Sequence, residues 1–117
     1  MKIQAVPGGS VELALHGELD SDGAYLVREG IAEILTKGRP RRIEVNMRAV
    51  SFVDAAGISA LVAAFQVAEA VGTRLVVTEP SRFVHHELWD AGVLGLFGAP
   101  EPYFGPVTRL NKPSPPG

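Results

Sequence analysis

The stretch VSFVDAAGIS at residues 50–59 decides the fold, because it joins a strand pattern directly to a helix pattern. Before it, apolar residues alternate from Ile43 to Met47, as in a half-buried strand. After it, apolar residues recur at helical spacing from Ile58 onward. Asp54 stands between the two patterns and suits a helix N-cap, since its carboxylate can accept hydrogen bonds from first-turn N–H groups. The stretch therefore predicts a strand, a tight turn and a helix.

Strand and helix patterns also alternate on both sides of this stretch. The predicted elements are, in chain order, a hairpin of residues 3–6 and 11–16, a helix from Asp20 or Ser21 to Gly38, a strand over 43–47, a helix from Ile58 to Gly72, a strand over 75–77 and a helix from Ser81 to Gly92. Helices between strands imply parallel neighbours with right-handed crossovers, and the opening hairpin makes the sheet mixed. We therefore expect an α/β fold with a mixed, mostly parallel sheet of about 4–5 strands and about 3–4 helices.

The length of 117 residues argues for a single folded domain with a short extension. Six of the nine prolines lie at or after Pro100, so the composition changes at that point. We predict a domain over residues 1–98 and a Pro-rich C-terminal tail over residues 99–117. Tyr103 and Phe104 are among the apolar residues of the tail. Such residues can pack the tail on its own domain or on a second copy in a homodimer, and the sequence leaves both open.

The composition excludes several classes of function. Lys and Arg total 11 and Asp and Glu total 13, so the net charge of −2 offers no overall basic footprint for nucleic acid. With no cysteine, the chain has no thiolate nucleophile, no disulfide and no Cys-ligated zinc site. The longest apolar stretch, Ile58 to Val71, is interrupted by polar residues and is shorter than the ~18 residues of a membrane span. We expect a cytoplasmic protein without membrane insertion.

Two aspartates occupy equivalent positions in the pattern, since Asp20 and Asp54 each follow a strand and precede a helix. If the two strands are neighbours, both carboxylates lie at one edge of the sheet. Two close carboxylates could form a cation site or an acid/base pair, but they are more often two helix caps. No histidine or hydroxyl nucleophile is tied to them by a motif. We therefore predict no catalytic residue, no metal and no cofactor.

A second charged feature surrounds Pro40, where Lys37, Arg39, Arg41 and Arg42 form a small basic cluster. Such a cluster is compatible with phosphate binding and with an ordinary solvated loop. The solvated loop is the more frequent outcome, so the cluster by itself predicts no site.

Several segments together resemble a known family. They are GELD at 17–20, GRPRRI at 38–43, VSFVDAAGI at 50–58, GTRLV at 72–76, Pro80-Ser81 and AGVL at 91–94. In this order and spacing, over about residues 3–98, the chain resembles STAS domains, and among them bacterial anti-sigma factor antagonists. The resemblance implies a non-enzymatic protein that binds an anti-sigma factor, often one of serine-kinase type, and thereby frees a sigma factor.

The chain departs from this family at the position that matters for regulation. In switchable members the residue after the aspartate matched by Asp54 is a Ser or Thr, which the kinase phosphorylates. Here that position is Ala55, followed by Ala56, so the usual phosphosite is lost. Ser59, one helical turn on, is the candidate substitute, and Ser51 on the strand side is another.

The resemblance also implies where a partner binds. The expected partner-binding residues are Asp20, Ser21, Asp54, Ala55, Ala56, Gly57 and Ser59. The first hypothesis is an antagonist that is not controlled by phosphorylation at Ala55. The alternative is a STAS subunit that docks on a transporter ATPase or in a stress-signalling scaffold. A third hypothesis, an enzyme or small-molecule sensor, rests only on the two aspartates.

Overall fold

A computed structural model describes residues 1–97 of the chain, apart from the side chains of Leu94 and Phe97. The elements are β1 (Lys2–Val6), β2 (Ser10–Leu19), α1 (Ser21–Lys37), β3 (Arg42–Val53), α2 (Ala55–Ala70), β4 (Arg74–Thr78), α3 (Arg82–Asp90) and a 3-10 turn (Leu94–Phe97). The predicted tail over residues 99–117 lies outside the described residues, so the boundary at residue 98 stays a prediction.

The sheet has the strand order β1-β2-β3-β4. β1 pairs with β2 in antiparallel fashion, whereas β2–β3 and β3–β4 are parallel. Gly8 and Gly9 both adopt positive φ, which glycine tolerates, and so close the first hairpin tightly. The predicted α/β class and mixed sheet are therefore confirmed, with four strands and three α-helices in the described part of the chain.

The two faces of the sheet differ in character. Right-handed crossovers place α1 and α2 on the same face, and the two helices pack against each other. The residues beneath them include Leu13, Val45 and Val77, which pair in register and are buried. The other face carries polar side chains on β2 and β3, where the Asn46 amide Nδ2 donates to Glu12 Oε2 at 3.1 Å, and the buried Val76 on β4. Among residues 1–97, α1 and α2 thus form one helical layer over one face of the sheet.

The third helix closes the core at the β3–β4 side. Ser81 caps α3 as the sequence predicts, since its hydroxyl accepts a hydrogen bond from the Val84 N–H at 3.2 Å. Val84 and Leu88 are fully buried and belong to the same cluster as the strand residues. α3 contacts β3, and the 3-10 turn that follows contacts β4. The third helix is therefore an integral part of the core.

Leu88→Ala tests this role of α3. We expect the free energy of unfolding to fall by about 2–5 kcal/mol, because the substitution leaves a cavity at a fully buried site. Leu96→Ala is the matched control, since Leu96 is 41% exposed and should cost less than about 1 kcal/mol. Urea denaturation monitored by circular dichroism measures both. Equal effects of the two substitutions would show that α3 is only loosely docked.

Candidate functional site

The carboxyl ends of β2 and β3 meet at one edge of the sheet. Leu19 and Val53 are register partners, and the Asp54 N–H donates to the Leu19 carbonyl oxygen at 3.3 Å. The expectation that the two strands are neighbours is therefore confirmed. It places Asp20 and Asp54, the residues directly after these strands, at the same edge.

Both aspartates act as helix N-caps. Asp20 Oδ1 accepts hydrogen bonds from the N–H groups of Asp22 and Gly23, each at 3.1 Å. Asp54 Oδ1 accepts from the Gly57 N–H at 3.0 Å. A negative charge at a helix N-terminus is also favoured by the helix dipole. Of the cation site, the acid/base pair and the two helix caps that the sequence left open, the hydrogen bonds show the two caps.

Gly57 lets the first turn of α2 lie directly on the end of β2. A Cβ at this position would overlap the Leu19 carbonyl oxygen and would lie 2.8 Å from Leu19 Cγ. Since the obstacle is backbone, it cannot swing aside as a flexible side chain would. The glycine is therefore required by the close approach of α2 to β2.

The start of α2 presents small side chains to solvent. Ala55 and Ser59 are exposed and one helical turn apart, whereas Gly57 is buried and Ala56 is half-buried. Ser21, the first residue of α1, is also exposed. The exposed residues of the expected partner surface thus flank the two caps.

The other candidate substitute, Ser51, lies on the strand side of the cap. It is exposed, and its hydroxyl donates to the Gly17 carbonyl oxygen at 3.4 Å. Its side chain is therefore directed along the sheet edge toward β2, and Ser59 is the serine on the exposed side of α2.

An aromatic pair beside this edge was not foreseen from the sequence. The rings of Phe52, at the end of β3, and Phe83, in α3, stack with centroids 6.0 Å apart. They remain 40% and 46% exposed, respectively. Only the docking of α3 brings the two residues together, so local sequence patterns carry no signal for the pair. An exposed aromatic pair next to polar caps is typical of protein-binding surfaces.

A shallow cleft of about 290 Å³ lies on the α1 side of the edge. Its lining combines the acidic residues Glu18, Asp20 and Asp22 with the exposed apolar side chains of Met1 and Leu26. In residues 1–97, no group of three or more His, Asp or Glu side chains is arranged to hold a metal ion. Chemically, the edge offers fixed negative charge and apolar contact area for a partner surface.

The chain is a small α/β domain with a mixed sheet. Two capped helices begin side by side at the carboxyl ends of its parallel strands. The chain belongs to the STAS domain family, whose model matches residues 2–105. Among curated proteins, it is 28% identical over 80 residues to an anti-sigma F factor antagonist of Lysinibacillus sphaericus, and the match covers 68% of each chain.

Solved structures with the same fold include regulators and a transporter domain. The unphosphorylated anti-sigma factor antagonist SpoIIAA has a TM-score of 0.70 and 24% identity, covering 93% of this chain and 94% of that one. The phosphorylated Bacillus SpoIIAA has a TM-score of 0.63 and 26% identity, covering 82% and 86%. The SulP transporter STAS domain from Vibrio cholerae has a TM-score of 0.66 and 22% identity, covering 83% and 77%.

Within residues 1–97, none of the helices has the length and apolar character needed to cross a membrane.

Gly57→Ala tests the close approach of α2 to β2. We expect the free energy of unfolding to fall by about 3 kcal/mol, because the added methyl group collides with backbone. Gly38→Ala is the matched control, since Gly38 has an extended backbone and no atom within 4 Å of an added Cβ. We expect the control to change stability by less than about 0.5 kcal/mol in the same denaturation experiment. A tolerated alanine at residue 57 would contradict the geometry.

Proposed function

We propose that this chain is an anti-sigma factor antagonist, which binds an anti-sigma factor and frees a sigma factor. The observation that carries the proposal is the exposed, capped start of α2, with Asp54 followed by Ala55, at the edge of a STAS fold. The similarity to the Lysinibacillus antagonist supports it. In this proposal the chain acts by binding, with no catalytic residue and no cofactor, and the anti-sigma factor is of the serine-kinase type.

The proposed partner surface is centred on the two caps. It comprises the exposed and half-buried residues Asp20, Ser21, Asp54, Ala55, Ala56 and Ser59, with the buried Gly57 beneath them. Capping and close packing hold this surface rigidly, so little conformational entropy is lost when a partner binds. The neighbouring Phe52–Phe83 pair offers large apolar area, which is the usual source of binding energy at the centre of an interface.

We further propose that phosphorylation at the usual position does not control this antagonist. Ala55 has no hydroxyl, so this position cannot accept a phosphoryl group. A phosphate there would add a charge of about −1.5 to −2 at an exposed helix N-terminus, where the dipole tolerates it but a packed partner does not. With alanine in its place, the surface stays in the binding-competent form.

A second candidate function is docking on a transporter ATPase or in a stress-signalling scaffold. A STAS domain of a SulP transporter shares this fold, which supports a role beside a transport protein. An affinity pull-down from the native cell, with mass identification of the bound proteins, separates the two. Recovery of an anti-sigma factor supports the first function, whereas recovery of a transporter ATPase or scaffold components supports the second.

Ala55→Glu tests the partner surface. We expect binding to the recovered anti-sigma factor to weaken about tenfold or more, because a buried unpaired charge at an interface is costly. Ala70→Glu is the matched control: Ala70 is exposed at the other end of α2, about 22 Å away at 1.5 Å per residue. Isothermal titration calorimetry measures both affinities. Equal affinities for the two variants would refute the proposed surface.

Ala55→Ser tests the lost phosphosite. We expect the recovered kinase and labelled ATP to leave the natural chain unlabelled and to label the Ala55→Ser variant, because the substitution restores an exposed hydroxyl after Asp54. Intact-mass measurement gives the stoichiometry, and Ser59→Ala in the natural background is the control for the candidate substitute. Stoichiometric label on Ser59 or Ser51 of the natural chain would contradict the proposed insensitivity.

A further inference from the structure

Several arginines lie together at the amino ends of the parallel strands, at the opposite end of the domain from the two caps. Arg41, Arg42 and Arg74, together with Gly8 and Ser10, line a concavity of about 270 Å³ at the amino ends of the parallel strands. We name these three arginines and this concavity the arginine site. It contains two members of the basic cluster found in the sequence and adds Arg74 from β4, 32 positions after Arg42 in the chain.

Two of these arginines lie side by side on neighbouring strands. Arg42 and Arg74 are direct register partners in the parallel β3–β4 pair. Like charges at opposed positions on neighbouring strands destabilise a sheet. Arg42 Nε lies 3.4 Å from Glu44 Oε2, but within residues 1–97 neither Arg74 nor Arg41 forms an ion pair. Glu44 therefore offsets the charge of Arg42, whereas the charges of Arg41 and Arg74 have no ion-pair partner in this part of the chain.

The backbone keeps the three arginines in place. The Arg41 N–H donates to the Gly9 carbonyl oxygen at 3.0 Å, and the Arg74 N–H donates to the Arg41 carbonyl oxygen at 3.1 Å. Gly9 has φ +78, and a Cβ there would lie 3.3 Å from Arg41 Cδ, so the stem of Arg41 lies against the hairpin turn. Backbone contacts thus hold the three arginines close together, while their side chains are exposed and accessible to a ligand.

We propose that the arginine site binds a phosphate-bearing ligand. Guanidinium groups bind phosphate oxygens through paired, charge-assisted hydrogen bonds, and several of them match the multiple charges of a phosphate group. The small concavity suits a compact anionic group better than a folded acidic surface. Binding would neutralise the repulsion between Arg42 and Arg74. The ligand's phosphate can belong to a free small molecule or to a lipid headgroup, and the chemistry of recognition is the same.

The first test titrates inorganic pyrophosphate into the full chain and follows backbone amide shifts by NMR. We expect shifts confined to residues near Gly9, Arg41 and Arg74, with affinity falling as salt is added. Arg74→Gln should weaken binding about tenfold, as expected for one charge-assisted contact. Arg28→Gln on α1 is the matched control for the change in net charge and should leave the affinity unchanged. Equal weakening by both variants, or no shifts at all, would overturn the proposal.

A second measurement separates a binding role from a purely structural one. Arg74→Glu replaces the like-charge pair with an opposite-charge pair, so we expect the Tm without ligand to rise by about 2–4 °C while pyrophosphate binding is lost. A stabilised variant that no longer binds supports the proposal, because its fold is intact. A stabilised variant that binds pyrophosphate as well as the natural chain does overturns it.

A third arm identifies the source of the phosphate. Flotation with phosphatidylcholine vesicles, with and without phosphatidic acid, tests a lipid headgroup, and pyrophosphate tests a free ligand. If the chain floats with the phosphatidic acid vesicles and Arg74→Gln abolishes this flotation, the ligand is a lipid headgroup. Binding of pyrophosphate alone assigns it to a free phosphate compound. Binding of an acidic peptide in place of both would overturn the proposal in favour of a protein partner.

Discussion

The contact between the first turn of α2 and the end of β2 is the constraint on which the rest of the carboxyl edge depends. A side chain at residue 57 would overlap the Leu19 carbonyl oxygen, so this residue is glycine. The same carbonyl oxygen accepts a hydrogen bond from the Asp54 N–H. Asp54 in turn accepts the Gly57 N–H, so strand end, cap and helix start form one closed set of contacts. Because the set is built mostly from backbone, the residue after the cap is held at the surface whatever its side chain.

The parallel strands also explain why the domain has two different ends. Every β–α crossover starts at the carboxyl end of a strand, so the caps Asp20 and Asp54 gather there beside Glu18 and Asp22. Each return loop reaches the amino end, where Arg41 directly precedes β3, Arg42 begins β3 and Arg74 begins β4. The small net charge of −2 conceals this separation, because the acidic and basic residues nearly cancel in the total. The domain is close to neutral overall and strongly charged locally.

The caps could be predicted from the sequence because they are local. Asp20, Asp54 and Ser81 each bond to an N–H two or three residues ahead, so a short window contains the whole interaction. The contacts made across the fold could not be predicted in this way. The opposition of Arg42 to Arg74 depends on the register of two strands, and the stacking of Phe52 on Phe83 depends on how α3 docks. The same limit applies to Gly57, whose sequence context indicates a tight turn but not the Leu19 carbonyl that it must pass.

The single core determines how the two ends can influence each other. A ligand shifts affinity at a distant site only when it binds two arrangements of the protein unequally. Here Leu13, Val45 and Val77 belong to one continuous buried cluster beneath α1 and α2, and close-packed interiors of this kind do not deform gradually. Strands β2 and β3 pass through this cluster and keep the two ends at a fixed separation. We therefore expect a phosphate ligand at the amino end and a protein partner at the carboxyl end to bind independently, so that both can be held by one copy of the domain.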